Sequence, residues 1–163
     1  MLLAVIADTH MPRGARRLPD ACVEHLSSAD LILHAGDFVT VSVLEEFEAI
    51  GPPVAAVHGN VDEPVLAMRL PAARMVEAEG ARIAIVHDAG AAAGRLERLR
   101  RRFADADAVV FGHSHLPLHE QGGGFQIFNP GSPTERRRAR RHTMGLCRAE
   151  AGSLHFELID LGA

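Results

Sequence analysis

Leu2-Leu3-Ala4-Val5-Ile6-Ala7 runs without a polar break into Asp8-Thr9-His10, and the same kind of ending recurs along the chain. Leu31-Ile32-Leu33 runs into His34-Ala35-Gly36-Asp37, and Val54-Ala55-Ala56-Val57 into His58-Gly59-Asn60. Ile83-Ala84-Ile85-Val86 runs into His87-Asp88, and Ala108-Val109-Val110-Phe111 into Gly112-His113-Ser114-His115. Short continuous apolar runs read as strands buried on both faces. In α/β sheets, ligands gather beyond the carboxyl ends of the strands. Taken singly, each Asp or His has an ordinary reading as a turn former or a structural residue. Delivered repeatedly to one sheet edge, Asp, Asn and His predict a single polynuclear metal site.

Helical periodicity fills the gaps between these strands. Pro19 to Ser28 is amphipathic, with Ala21, Cys22 and Leu26 expected on its buried side. Val41 to Ile50 follows, with Thr40 or Ser42 as N-cap and Gly51-Pro52 as stop. Ala91 to Phe103 carries Leu96, Leu99 and Phe103 at helical spacing. Residues 1–60 thus read β-α-β-α-β, the order of a parallel half-sheet. The second half is richer in strands. Arg74 to Glu79 and Arg82 to His87 flank Glu79-Gly80, Phe125 to Phe128 follows Gly122-Gly123-Gly124, and Thr143 to Arg148 and Leu154 to Asp160 flank Ala151-Gly152. The pattern predicts an α/β fold of two packed sheets flanked by helices. No linker or repeat divides it, so residues 1–163 are expected to form a single domain.

Composition narrows the function classes. Of 163 residues 47% are hydrophobic, yet no apolar run approaches the length of a membrane span. The first apolar stretch has no basic flank or cleavage signal, so a cytoplasmic protein without a membrane partner is expected. Cys22 and Cys147 form no CxxC pair; one disulfide is open to them, but two reduced thiols fit that compartment better. All 17 basic residues are Arg, which removes Lys as catalytic base or phosphate clamp. The net charge of −4 counts the candidate ligand carboxylates as bare anions, and the absence of Tyr and Trp removes most of the stacking surface of single-strand nucleic-acid binders.

Asp8 and His10, like His113 and His115, stand two residues apart, which in extended backbone puts both side chains on one face and lets the pair chelate an ion. Gly36, Gly59 and Gly112 precede Asp37, Asn60 and His113, as expected where backbone bends or approaches an ion. Imidazole, carboxylate and amide donors together suit Mn²⁺, Fe, Zn²⁺ or Co²⁺ better than Cu(I) or a Ca²⁺ cage.

In order, Asp8-x-His10, Gly36-Asp37, Gly59-Asn60, His87 and Gly112-His113-x-His115 resemble the motifs of the calcineurin-like metallophosphoesterase superfamily. The short length and Asn129-Pro130-Gly131-Ser132 are similar to its small bacterial and archaeal phosphodiesterase branch. The resemblance implies a four-layer αββα sandwich forming one metallophosphoesterase domain. It implies two divalent ions, Mn²⁺ first, with Fe, Zn²⁺, Co²⁺ or Ni²⁺ as alternatives. Asp8, His10, Asp37 and His115 would hold one ion, and Asp37, Asn60, His87 and His113 the other, with Asp37 bridging. Asp37, Asn60 and His113 are the implied catalytic set. The implied reaction is hydrolysis of a phosphoester, foremost a phosphodiester of a small molecule or nucleotide, by attack of a metal-bridging hydroxide.

Larger relatives place a His directly after the metal-binding Asn, where Val61 stands here. Protonation of the leaving group then falls to another donor such as His58 or His34, or the substrates have good leaving groups. His34 and His58 read otherwise as ligand-orienting groups or as plain strand-end residues. Asp62 matches a Gly-Asn-x-Asp element of the family, Asp88 replaces a common Gly, and Thr9 and Ser114 are hydroxyls inside ligand motifs. Arg136-Arg137-Arg138-Ala139-Arg140-Arg141 reads as an electrostatic funnel for anions or as a solvated loop. Arg13, Arg16 and Arg17, close after His10, are better placed for phosphate contact. Two rival functions stand beside hydrolysis: a scaffold that keeps the fold and binds partners, as the retromer subunit of this branch illustrates, and a nuclease. A homo-oligomer is compatible with the sequence.

Overall fold

The computed structural model describes residues 1–162. In chain order its elements are β1 (Leu2–Ile6), a 3-10 turn (Arg13–Ala15), α1 (Asp20–Ser27), β2 (Leu31–His34), α2 (Val41–Glu48), β3 (Val54–Ala56), α3 (Pro64–Arg69), β4 (Ala73–Ala78), β5 (Ala81–Val86), α4 (Arg95–Arg102), β6 (Ala108–Val110), β7 (Leu118–Gly122), β8 (Phe125–Asn129), β9 (His142–Glu150) and β10 (Ser153–Gly162). Two five-stranded mixed sheets result, ordered β10-β9-β1-β2-β3 and β4-β5-β6-β8-β7. Strands β1, β2 and β3 are parallel, as are β5, β6 and β8, and antiparallel hairpins complete both sheets.

The alternation within β1 explains the layering. Leu3 and Val5 point into a central core, where Leu33, Ala55 and Val57 of their own sheet meet Ile83, Ile85, Val110 and Phe128 of the other. Ala4 and Ile6 point the opposite way, onto Cys22 and Leu26 of α1, Val43, Leu44 and Phe47 of α2, and Leu66 of α3. Leu99 of α4 covers the outer face of the second sheet with Val109, Phe111 and Ile127. The chain is therefore the expected four-layer αββα sandwich. Each fully buried Leu, Ile or Phe in these cores stabilises the fold by ~1.5–3 kcal/mol through lost water contact.

Several local expectations are corrected. The last helix begins at Arg95, not Ala91, because Gly94 takes φ 65° and the Arg98 guanidinium bonds the carbonyls of Ala89, Ala91 and Ala93. Ala21 is exposed, leaving Cys22 and Leu26 as the buried positions of α1. Neither Thr40 nor Ser42 caps α2 by its side chain; the two hydroxyls pair with each other, and Glu63 accepts the Val41 N–H at 2.7 Å. Helix α3 and strand β7 lie in segments to which the sequence pattern assigned no element. The C-terminal hairpin joins the first sheet, where β9 pairs with β1. Both cysteines are free and buried in different cores, and burial pushes both thiols up to about 12. Among the described residues no helix is long and apolar enough to cross a membrane.

Candidate metal centre

The strand ends that carry the candidate ligands come from both sheets, not from one sheet edge as the strand pattern suggested. Asp8, His10, Asp37 and Asn60 follow β1, β2 and β3; His87, His113 and His115 follow β5 and β6. Face-to-face packing of the two sheets brings them together. His113 donates its backbone N–H to Asp8 Oδ1 at 3.0 Å, and His87 Nε2 lies 3.3 Å from Asp37 Oδ2. One donor atom from each of Asp8, His10 and His115 lies within 4.8 Å of the others, and so does one from each of Asp8, Asp37 and His87. The pairs two residues apart do not meet through extended backbone. Asp8, His10, Asp37, His113 and His115 all have φ between 47° and 69°. This left-handed backbone is uncommon for residues with a Cβ, although Asp and His enter it more readily than most. Here each strand end coils back on itself and turns its ligand inward.

Three imidazoles share one orientation. His87 donates Nδ1–H to the Ala35 carbonyl at 2.7 Å, His115 donates Nδ1–H to the Glu135 carbonyl, and His10 Nδ1 lies 3.2 Å from Glu135 Oε2. With the Nδ1 atoms turned outward, each Nε2 faces oxygen. His10 Nε2 lies 3.1 Å from Asp37 Oδ2 without the alignment of a hydrogen bond, His115 Nε2 lies 3.8 Å from Asp8 Oδ1, and His87 Nε2 is 2.9 Å from Asn60 Oδ1. His10 Nε2, His115 Nε2 and Asp8 Oδ2 are buried and have no hydrogen-bond partner among the described residues. Buried donor atoms turned toward carboxylates and left without partners fit a cation held between them, so this donor set fits divalent metal. His113 Nδ1 is 2.9 Å from the same Asn60 oxygen. Asn60 and His113 are exposed and form the outer lip, while Asp8, His10, Asp37, His87 and His115 are buried.

The electrostatics point the same way. Burial pushes Asp8 up to about 7, with Asp37 adding to the rise against the pull of His87. Burial would raise Asp37 too, but His10, His87 and the Val61 N–H hold it well below the usual carboxylate range. His87 is raised, the neighbouring Asp37 overcoming the effect of burial. Burial lowers His115 to about 4, aided by the Arg137 charge.

A model of the calcineurin-like phosphoesterase superfamily domain matches residues 1–152. The chain belongs to this superfamily. It is 34% identical over 165 residues to a probable metallophosphoesterase of Methanothermobacter thermautotrophicus, covering 100% of this chain and 94% of that protein. Vps29 of Entamoeba histolytica, solved in complex with zinc, matches at a TM-score of 0.78 and 21% identity over 99% of this chain and 100% of that one. A structure described as a novel archaeal phosphodiesterase matches at 0.74 and 22% identity over 98% and 100% of the two chains. At those identities the two structures speak for the fold.

Around the candidate ligands, the chain carries a supporting layer that sequence reading found only in part. Asp62 accepts the backbone N–H groups of Asp37 (3.2 Å), Val39 (2.7 Å) and Gly59 (2.7 Å), tying the loops after β2 and β3 together. Glu135, unremarked in the sequence, touches His10 through its carboxylate and His115 through its carbonyl, and its other oxygen takes Arg16 at 3.1 Å. Its only sequence signal is its place three residues after Ser132. Asn129 bonds the Gly112 carbonyl and the Gly131 N–H, and Ser132 bonds the Asp8 carbonyl at 2.7 Å, so Asn129-Pro130-Gly131-Ser132 clamps the two sheets' ligand loops. At Gly59 a Cβ would fall 2.0 Å from Asp37 Oδ1, and at Gly112 it would fall 3.0 Å from Asp8 Oδ2. These two glycines serve close approach, not a bend.

Other candidates fall outside the centre. His34 is buried in a stack with Phe38 at 3.6 Å, accepts the Gly36 N–H, and is lowered to about 3 by burial, so it stays neutral and cannot donate a proton to a leaving group. Thr9 and Ser114 bond neighbouring protein groups, and Asp88 closes a turn onto the Gly90 N–H. Arg16 is bound to Glu135, whereas Arg13 and Arg17 are exposed.

Proposed function

We propose that this chain is a dinuclear metal-dependent phosphodiesterase. Asp8, His10, Asp37 and His115 would hold one divalent ion and Asp37, Asn60, His87 and His113 the other, with Mn²⁺ the first candidate. The observation that carries the reading is the buried cluster of His10 Nε2, His115 Nε2 and Asp8 Oδ2, which face one another and Asp37 with no hydrogen-bond partner among the described residues. When bound, two such ions supply Lewis acidity to a phosphoester and lower the pKa of a water.

The protein's own residues then have defined tasks. Asp37, ionised throughout the neutral range, supplies the fixed negative charge at the middle of the donor set. Ala35 and Glu135 lock the ring orientations of His87, His115 and His10, so no reorganisation is needed when metal arrives. Asn60 and His113, the exposed members, meet the phosphoester as it enters. Val61 leaves no imidazole after Asn60 and His34 is held neutral in the core, which leaves half-buried His58, its Nδ1 3.4 Å from the Gly59 carbonyl, as the remaining donor named from the sequence; esters with good leaving groups are favoured.

The test is hydrolysis of bis-p-nitrophenyl phosphate by metal-stripped protein titrated with Mn²⁺, for wild type and Asp37→Ala. Metal-dependent turnover that falls to background in the variant supports the reading. A folded, metal-binding protein inert toward this diester, a monoester and a nucleotide panel would transfer the case to a non-catalytic scaffold.

A further inference from the structure

Six guanidinium groups on one flank of this centre have no carboxylate partner among the described residues. The segment after β1 carries Arg13, Arg16 and Arg17, and that between β8 and β9 carries Arg136, Arg137, Arg138, Arg140 and Arg141. The two segments are joined beside His10 and His115. Arg16 donates to Glu135 at 3.1 Å, Thr134 Oγ1 to the Thr9 carbonyl at 2.5 Å, and Arg137 to the His113 carbonyl at 3.4 Å. Glu135 neutralises Arg16, and Asp160 lies 3.8 Å from Arg141. Arg13, Arg17, Arg136, Arg137, Arg138 and Arg140 are exposed and make no ion pair among the described residues. The run is no loose tail. Ala139 N–H closes a turn onto the Arg136 carbonyl at 2.7 Å, and the Arg136 guanidinium bonds the Arg140 carbonyl at 3.1 Å. In a chain of net charge −4 this is a fixed local reversal of sign.

A single phosphodiester carries one negative charge, which two divalent ions already exceed. Six further cations are then redundant unless the substrate brings further anions. Guanidinium forks pair with successive phosphates bidentately. Val61 supplies an independent argument: with no imidazole after Asn60, a leaving group that departs without help from that position, as a phosphate does more readily than an alkoxide, suits the site better. We infer that the substrate is a phosphodiester-like unit whose leaving side is itself a chain of phosphates, that is, a small molecule with a polyphosphate linkage. The inference rests on the phosphodiesterase reading. In the step, water adds its oxygen to the attacked phosphorus, the P–O bond toward the next phosphate breaks with its electron pair on the departing phosphate, and the water's protons pass to solvent. Single-stranded nucleic acid fits less well. Its bases need aromatic platforms, and none of the seven Phe is exposed.

The experiment uses the Mn²⁺-loaded full chain with free Mn²⁺ held in excess. The kcat/KM values for P1,P4-bis(adenosine) tetraphosphate and bis-p-nitrophenyl phosphate are compared, and binding of inorganic tripolyphosphate, orthophosphate and octathymidylate is measured by calorimetry. Tripolyphosphate is expected to bind at least tenfold more tightly than orthophosphate. The combined variant R136A/R137A/R138A, and separately R13A/R17A, should lower the ratio of the two kcat/KM values at least tenfold, while Arg101→Ala on α4 leaves it unchanged. Equal binding of tripolyphosphate and orthophosphate, or a ratio insensitive to both variants, overturns the inference; tighter binding of octathymidylate than of tripolyphosphate overturns it in favour of nucleic acid. Tripolyphosphate binding with no turnover of either ester would instead refute the catalytic reading.

Discussion

Gly59→Ala is the sharpest test of how the centre is built. The added methyl would lie 2.0 Å from Asp37 Oδ1, 2.4 Å from its backbone nitrogen and 2.7 Å from its Cγ, against an ordinary contact of about 3.4 Å. Relief requires more than ~1 Å of movement. The Asp37 carboxylate cannot supply it by rotation alone, because its backbone nitrogen is also in the way. The loops cannot simply part either, since Asp62 binds the Gly59, Asp37 and Val39 N–H groups at once. Overpacking of this kind costs ~1–3 kcal/mol, or a Tm lowered by about 2–12 °C for a chain of this size. The site should suffer far more than the fold. Asp37 stands between His10 and His87, and a displacement near 1 Å costs about a hundredfold or more in a preorganised site. Calorimetric Mn²⁺ titration, metal content after gel filtration and a thermal melt together separate the two effects. A variant with a modest loss in Tm and at least a hundredfold loss in metal affinity is the expected result. Wild-type metal content and turnover would refute the argument that this glycine is required by the carboxylate beside it.

Glu135→Ala should weaken the ion held by His10 about 10–100-fold by freeing its ring, while Glu135→Gln, which keeps an acceptor oxygen, stays within a few fold; equal losses in Mn²⁺ calorimetry would remove Glu135 from this role. Asp62→Ala strands three backbone donors and should cost of order 2–4 kcal/mol in urea unfolding, and a change under 0.5 kcal/mol would show that water replaces the carboxylate. Asp8 gives a pH signature. Between about pH 4 and 7 the folded, metal-free chain keeps a proton that the unfolded chain releases, so this group's contribution to stability is lost as pH rises through about 7. Metal-free Asp8→Asn should therefore gain stability over wild type with rising pH, by at most about 1.4 kcal/mol per pH unit, and a pH-independent difference would contradict it. Metal must displace the same proton, so wild-type Mn²⁺ affinity should climb across that range, and a flat profile would argue against Asp8 as a ligand.

The chain's own order of residues determined the strands that end in candidate ligands and the class of the fold. Those features are local: an apolar run long enough for a buried strand, a turn residue, and a donor atom just beyond it. Tertiary structure decided the rest. Helix α3 is six residues long and β7, Leu-His-Glu-Gln-Gly, is a polar edge strand; neither carries a periodic signal strong enough to read. The Arg98 side chain satisfies carbonyls ahead of α4, so that helix starts later than its pattern suggests. Glu135 became part of the centre only when the loop before β9 folded over His10 and His115. His34 has the same local sequence context as its ligand neighbours, yet β2 aims it into the Phe38 stack. Which nitrogen of each imidazole faces inward, and that the ligands of two sheets share one space, depend on contacts between residues as far apart as Asp8 and His113, and no local pattern encodes such distances.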